Sequence, residues 1–190
     1  MSSLDNRLNR ILERITADDF LAGKGLGNEI PFHAFDYPPE DELKVRQHIE
    51  FMLVQAPKRR PGLRIAHINL FELALDMMQK ANHYDKAVAV QAKKGDSAVL
   101  KTLTKTLGGK AVAQEINTRV DFEETDVLFL SGVGNAYPMI RSHNVLNNLQ
   151  PFTGQTPLVL FFPGQYDGQS LQLFGRLPDT PYYRAFRLVG

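Results

Sequence analysis

Three segments in the last third of the chain constrain its fold most. Residues 126–149 (DVLFLSGVGNAYPMIRSHNVLNNL), 157–175 (PLVLFFPGQYDGQSLQLFG) and 182–188 (YYRAFRL) follow one another closely. Each holds an apolar run that ends in a Gly- or Pro-containing turn, so polar side chains leave the core there. An open α/β sheet presents its site at strand ends in this way.

The rest of the chain supplies helices to flank such a sheet. Leu4, Leu8, Ile11, Leu12 and Ile15 recur at helical spacing, which makes residues 1–22 an amphipathic docking segment. After the break at residues 23–27 (GKGLG), the apolar run 30–37 reads as a strand. Pro39 suits the first turn of the next helix, and Glu40, Asp41 and Glu42 suit its positive end. Val45, Ile49, Met52, Leu53 and Ala56 form that helix's core stripe, and Pro57 with Pro61-Gly62 ends it. Residues 64–69 read as a second strand. Asn69 caps the helix after it, with Glu72 three residues on as in a capping box. Residues 84–108 read as two helices broken near Gly95-Asp96, and 111–122 as another. The strand 126–131, a helix over about 138–149 and the strand 158–162 follow, with short strands near 171–174 and 183–188. Strands alternating with helices predict a single α/β domain over residues 1–190. Its largely parallel sheet has about four to six strands, helices on both faces and a short antiparallel C-terminal edge.

Composition narrows the function classes. The chain has 190 residues, 43% of them apolar, and a formal charge of +1, so nothing global attracts nucleic acid or an anionic membrane. The lack of cysteine excludes disulfides, thiolate metal sites and cysteine nucleophiles, and suits a reducing cytoplasm. The opening residues resemble no signal peptide, and no window approaches the roughly 18 apolar residues of a membrane span. A cytoplasmic protein is the expectation.

The candidate chemistry is sparse. Gly132, Gly134 and Asn135 follow a strand, where backbone N–H groups bind anions, but a tight strand-to-helix turn explains both glycines equally well. The third glycine of a dinucleotide fingerprint and the Lys-Ser/Thr pair of a P-loop are missing. No two of the five histidines lie close enough in sequence for a helix- or loop-borne zinc site. His67, inside a strand, reads as a satisfied interior histidine. Ser131 and Ser170 have no base at a telling spacing. Asp167 reads as a turn residue or a general base. Tyr182, Tyr183 and Arg184 form an aromatic-plus-arginine cluster of a kind enriched at interfaces. Catalytic residues, metal ligands and cofactor are each expected to be none.

With residues 63–78 (LRIAHINLFELALDMM), the wording of the three C-terminal segments resembles the BrxB family, a component of the bacterial phage-exclusion systems called BREX. The resemblance implies a defence-system component and no particular reaction. It implies an adaptor or scaffold that binds PglZ, a member of the alkaline-phosphatase superfamily, beside an ATPase and a DNA methyltransferase. Other BREX components are further possible partners. The alternative is a nucleotide- or nucleic-acid-binding module derived from an NTPase-like α/β fold without a P-loop. A bound anion in the loop 131–137 favours the second reading, and a side chain filling that space favours the first. If the strands 126–131 and 158–162 are parallel neighbours, residues 132–141 emerge beside 163–168. Arg141 then meets Asp167 in a charge-assisted bond, with Tyr166 as an aromatic anchor and Tyr182, Tyr183 and Arg184 completing a partner surface.

Direct DNA binding is expected to be weak or absent. Six lysines stand against two aspartates over residues 84–110, before Asp121, Glu123, Glu124 and Asp126 reverse the sign. Any binding by the isolated protein runs through Lys101, Lys105 and Arg59-Arg60, and falls steeply between low salt and ~0.15 M. A mobility-shift titration across that range checks this. Sequence-specific, salt-tolerant binding contradicts it.

Overall fold

The computed structural model describes residues 3–23, 31–178 and 185–190. The strands in chain order are β1 (Phe32–Tyr37), β2 (Ile65–Asn69), β3 (Val127–Ser131), β4 (Leu158–Tyr166), β5 (Leu171–Leu173), β6 (Leu177–Pro178) and β7 (Ala185–Arg187). Five of them form a parallel sheet in the order β2-β3-β4-β1-β7. The register pairs Phe32 with Leu158 and Tyr37 with Pro163, so β4 runs on past β1 as an overhang. β5 pairs antiparallel with that overhang, and β6 with β5.

The C-terminal edge differs in one respect from the sequence reading. β5 and β6 are antiparallel, but β7 joins β1 in parallel. The free edge of β1 captures it: the Leu188 amide donates to the Ala34 carbonyl at 2.9 Å, while Ala185, Leu188 and Val189 bury their side chains.

Every residue of β3 is buried, and successive side chains serve opposite faces. Leu128 and Leu130 join Leu158, Leu160 and Phe162 on one face, whereas Val127 and Phe129 join Val159, Phe161 and Phe35 on the other. Parallel strands covered by helices on both sides carry such unbroken apolar runs. The second face takes α1 (Ser3–Ile15), which buries Leu4, Leu8, Ile11 and Ile15. After the short α2 (Asp18–Leu21), α3 (Glu42–Arg59) covers the same face with Val45, Ile49, Met52 and Ala56.

The first face is covered by later helices. α4 (Leu70–Lys80) starts at Asn69, whose Oδ1 accepts from the Phe71 and Glu72 amides at 3.0 and 3.4 Å. α5 (Tyr84–Lys94), α6 (Asp96–Leu103) and α7 (Gly109–Arg119) follow, and Leu103, Val112 and Ile116 enter the core. A single helical turn, α8 (Val133–Ala136), and α9 (Ser142–Thr153) link β3 to β4. Two helix boundaries depart from expectation. α3 runs through Pro57 to Arg59, because a proline so near the end forfeits few bonds while Met52 and Ala56 hold the helix to the sheet. α9 begins at Ser142, since α8 and the turn 137–140 take up the preceding residues. No described helix is long and apolar enough to cross a membrane.

β1 connects to β2 across α3 on one face, while β2, β3 and β4 are linked through helices on the other. The direction of winding therefore changes between β1 and β4, and the C-terminal ends of these strands open into a crevice of the kind that holds sites in α/β sheets.

His33 gives the fold a pH dependence. It sits in β1 against Phe20, with ring centroids 4.8 Å apart, and burial, helped by the Arg14 charge, lowers its pKa to about 4. An unfolded histidine titrates near 6.5, so between roughly pH 6.5 and 4 the unfolded chain binds a proton that the folded chain refuses. Stability falls as pH drops through that window, by up to about 3 kcal/mol from this residue. Burial also lowers His48 and His67, with the same sign. Urea unfolding at pH 7 and pH 5 should show the loss, and His33→Phe should reduce it, leaving the smaller part due to His48 and His67.

Candidate functional site

At the C-terminal end of β1, an acidic side chain interrupts an apolar strand. Asp36 is 8% exposed, and every approach to its carboxylate is occupied. The Arg7 Nη2 of α1 lies 2.5 Å from Oδ1, and Arg7 Nη1 donates to the Asp36 carbonyl at 2.8 Å. Arg187 of β7 reaches Oδ1 and Oδ2 at 3.1 and 3.3 Å. The Tyr166 amide at the end of β4 donates to Oδ2 at 3.0 Å. Arg187 also donates to the Tyr166 carbonyl, and the two guanidiniums lie over the Phe35 and Tyr166 rings at 4.8 and 5.8 Å. One carboxylate thus fastens α1, β1, β4 and β7 together beneath a cleft of about 460 Å³ bordered by Tyr37, Gln165 and Phe174. Its lone pairs are committed to structure, so it has none to offer a substrate.

Tyr166 belongs to this assembly and not to the surface. It is 2% exposed, and its hydroxyl lies against the carbonyls of Ala185 and Gly168. Burial, reinforced by the Asp167 charge, raises its pKa. The expectation of Tyr166 as an exposed anchor is therefore corrected. Asp167 turns inward on its own loop, accepting from the Gln169 and Ser170 amides at 2.8 and 2.7 Å and from the Ser170 hydroxyl at 2.8 Å. Those bonds, the Ser170 amide first, hold its pKa below the usual carboxylate value. Among the described residues it forms no ion pair with Arg141. Tyr182, Tyr183 and Arg184 lie outside the described residues.

Arg141 is exposed just before α9, with its guanidinium 5.9 Å from the Tyr137 ring centre. Tyr137 meets Phe174 edge to face at 6.5 Å. Phe174 is 37% exposed and holds a positive φ of 56°, a conformation that costs a β-carbon-bearing residue energy and concentrates at functional sites. Leu177, equally exposed, borders a recess shared with Tyr137, Ile140 and Arg141. The strand ends thus present a guanidinium, two aromatic rings and an aliphatic side chain as one surface.

The glycine loop is full. Gly132 lies in the left-handed region at φ 71°, and Asn69 Oδ1 comes within 2.1 Å of where a β-carbon would stand. At Gly134 the Phe174 ring and Pro163 Cγ come within 3.0 Å of that position. Asn135 is exposed on α8. These glycines admit side chains from β4, from the turn after β5 and from the α4 cap. Beside them, His67 Nε2 and Ser131 Oγ are 2.7 Å apart, a pairing that sequence spacing concealed. Ser131 is buried and burial keeps the imidazole pKa low, which suits a satisfied interior pair. No group of three or more His, Asp or Glu side chains placed to hold a metal occurs among the described residues.

Sequence reasoning missed Arg7, Asp36, Arg187 and Phe174. The signal for Asp36 was legible as a lone carboxylate inside FHAFDY, since a buried charge needs partners.

The family model described as "BREX protein BrxB" matches residues 66–188. A protein of Bacillus cereus (strain H3081.97) named "BREX protein BrxB" is 42% identical over 100% of this chain and 99% of its own length. One of Escherichia coli O9:H4 (strain HS) with the same name is 38% identical over 98% of this chain and 92% of its own. No solved structure matches the chain.

Asp36→Ala should cost about 3 kcal/mol by leaving two guanidiniums without their shared partner. The exposed Arg64–Glu124 pair is the contrast, and Glu124→Ala should change stability by less than about 1 kcal/mol. Urea midpoints of the two variants check the difference.

Proposed function

Since the chain belongs to the BrxB family, whose members are components of BREX phage-defence systems, we propose that it acts there without catalysing a reaction. It is an adaptor that binds PglZ and helps assemble the defence complex in the cytoplasm. Other BREX components are its further contacts, and residues 1–190 work as one domain. The observation that carries this reading is the cluster at the strand ends in which the exposed Arg141, Phe174 and Leu177 surround the half-buried Tyr137. Aromatic and arginine side chains grouped on a rigid base are the usual core of a protein–protein hot spot. The Asp36 assembly supplies the rigidity, because it anchors the β4 overhang on which β5 and Phe174 are built. The filling of the glycine loop by Asn69, Pro163 and Phe174 supports the adaptor over a nucleotide-binding module.

Arg141→Ala and Phe174→Gly test the surface. Glycine adopts the positive φ at position 174 without strain, so the second variant removes the ring while keeping the turn. Each should retain the wild-type melting profile yet weaken capture by tagged PglZ about tenfold or more, ~2 kcal/mol in the hot-spot range. Phage protection should fall with it. If both variants fold, bind PglZ as wild type and still protect, the surface is elsewhere. Turnover of ATP or DNA by the pure protein overturns the non-catalytic reading.

A further inference from the structure

α5 is the least buried helix on the first face. Of its residues only Ala87 is buried, while Tyr84 is 44% and Val88 53% exposed. Tyr84, Val88 and Gln91 form one stripe along α5, and Val99 and Leu103 one along α6. Between these stripes and the turn 137–139 lies a groove of about 360 Å³, walled by Tyr84, Val88, Val99, Leu103, Tyr137 and Met139. Its one lining carboxylate, Asp96, accepts from Gln91 at 3.0 Å. The segment that builds it is lopsided in charge: the exposed Lys86, Lys93, Lys94, Lys101, Lys105 and Lys110, none of which lines the groove, form no ion pair among the described residues.

We propose that this groove receives an amphipathic helix with an acidic polar face, contributed by a partner protein. The apolar walls select the apolar stripe of such a helix, and the surplus lysines select its carboxylates. Both walls built from α5 and α6 have their backbone groups paired inside their own helices, so they offer no sheet edge. An incoming segment must satisfy its own backbone, which a helix does. A second copy of this chain fits poorly, because it brings six further lysines against two aspartates in residues 84–110. Nucleic acid would use the lysines and leave the apolar walls uncovered. Tyr137 belongs to both this groove and the Arg141–Phe174 cluster, so the two form one continuous surface. The inference deepens the adaptor reading and rests on it for the helix belonging to another protein.

The probe is a labelled amphipathic peptide about four turns long, with leucine on one stripe and glutamate on the remaining positions. Fluorescence anisotropy with the full-length protein should show binding at least about tenfold tighter than for the same peptide with lysine in place of glutamate. Val88→Asp should weaken it about tenfold, and so should the exposed pair Lys94→Glu with Lys101→Glu, whose folding does not depend on the groove. Equal binding of the two peptides overturns the proposal, as does binding that survives the lysine reversals. So does labelled duplex DNA that binds more tightly than the glutamate peptide and loses its binding in the lysine-reversed variant. The Phe174→Gly variant separates the two readings: lost PglZ capture with normal peptide binding concerns the adaptor surface alone. A peptide indifferent to the groove substitutions defeats the groove whatever PglZ does.

Discussion

One carboxylate determines how the ends of this chain meet. Asp36 draws in Arg7 from the first helix, Tyr166 from the overhang of β4 and Arg187 from the last strand. A buried charge is costly unless it is paired and hydrogen-bonded, and here both conditions hold. The cost of desolvating Asp36 is offset only when all three partners are in place. Its geometry therefore specifies where α1 docks, how far β4 continues past β1, and which edge of β1 receives β7. Everything presented at the strand ends inherits its position from that choice.

The sheet beneath is built for burial on both faces. The aromatic rings of Phe129 and Phe161 meet edge to face at 5.2 Å under α1 and α3, while leucines line the opposite side under α4, α7 and α9. This division leaves α5 and α6 as the outlying part of the first layer. A helix so little buried owes its place to few contacts, and such elements are the ones that partners reorganise most easily.

Much of this was legible in the sequence, where local physics decides the outcome. The stripes of α1 and α3, the Asn69 cap, the break at Gly95-Asp96 and the parallel neighbours β3 and β4 all follow from spacing or from a short motif. The features that stayed hidden depend on residues far apart in sequence. Asp36 and Arg187 are 151 positions apart, so no window contains both. The same distance hid the direction of β7, which is decided by an edge of β1. Tyr166 reads as a surface aromatic because it stands beside a turn, yet the overhang carries it into the core. Phe174 was concealed by its backbone, since a non-glycine residue at positive φ leaves no mark in composition. Arg141 stands at the strand ends, but the pairing expected for it is not formed, because Asp167 is consumed by its own turn.

The position of β1 also has a meaning in time. Of the described strands it is the first to be made, yet both of its neighbours, β4 and β7, come long after it, with Phe32 waiting for Leu158 and then Ala185. Until β4 has been made, β1 has no strand beside it, and the stripes of α1 and α3 lack much of the sheet they cover. Such late closure is slow and leaves sticky segments open to chaperones and to misassembly. Translation of this protein is thus a period of vulnerability. A truncated product that ends before β4 would keep most of the helices and still lack the means to shelter its own beginning.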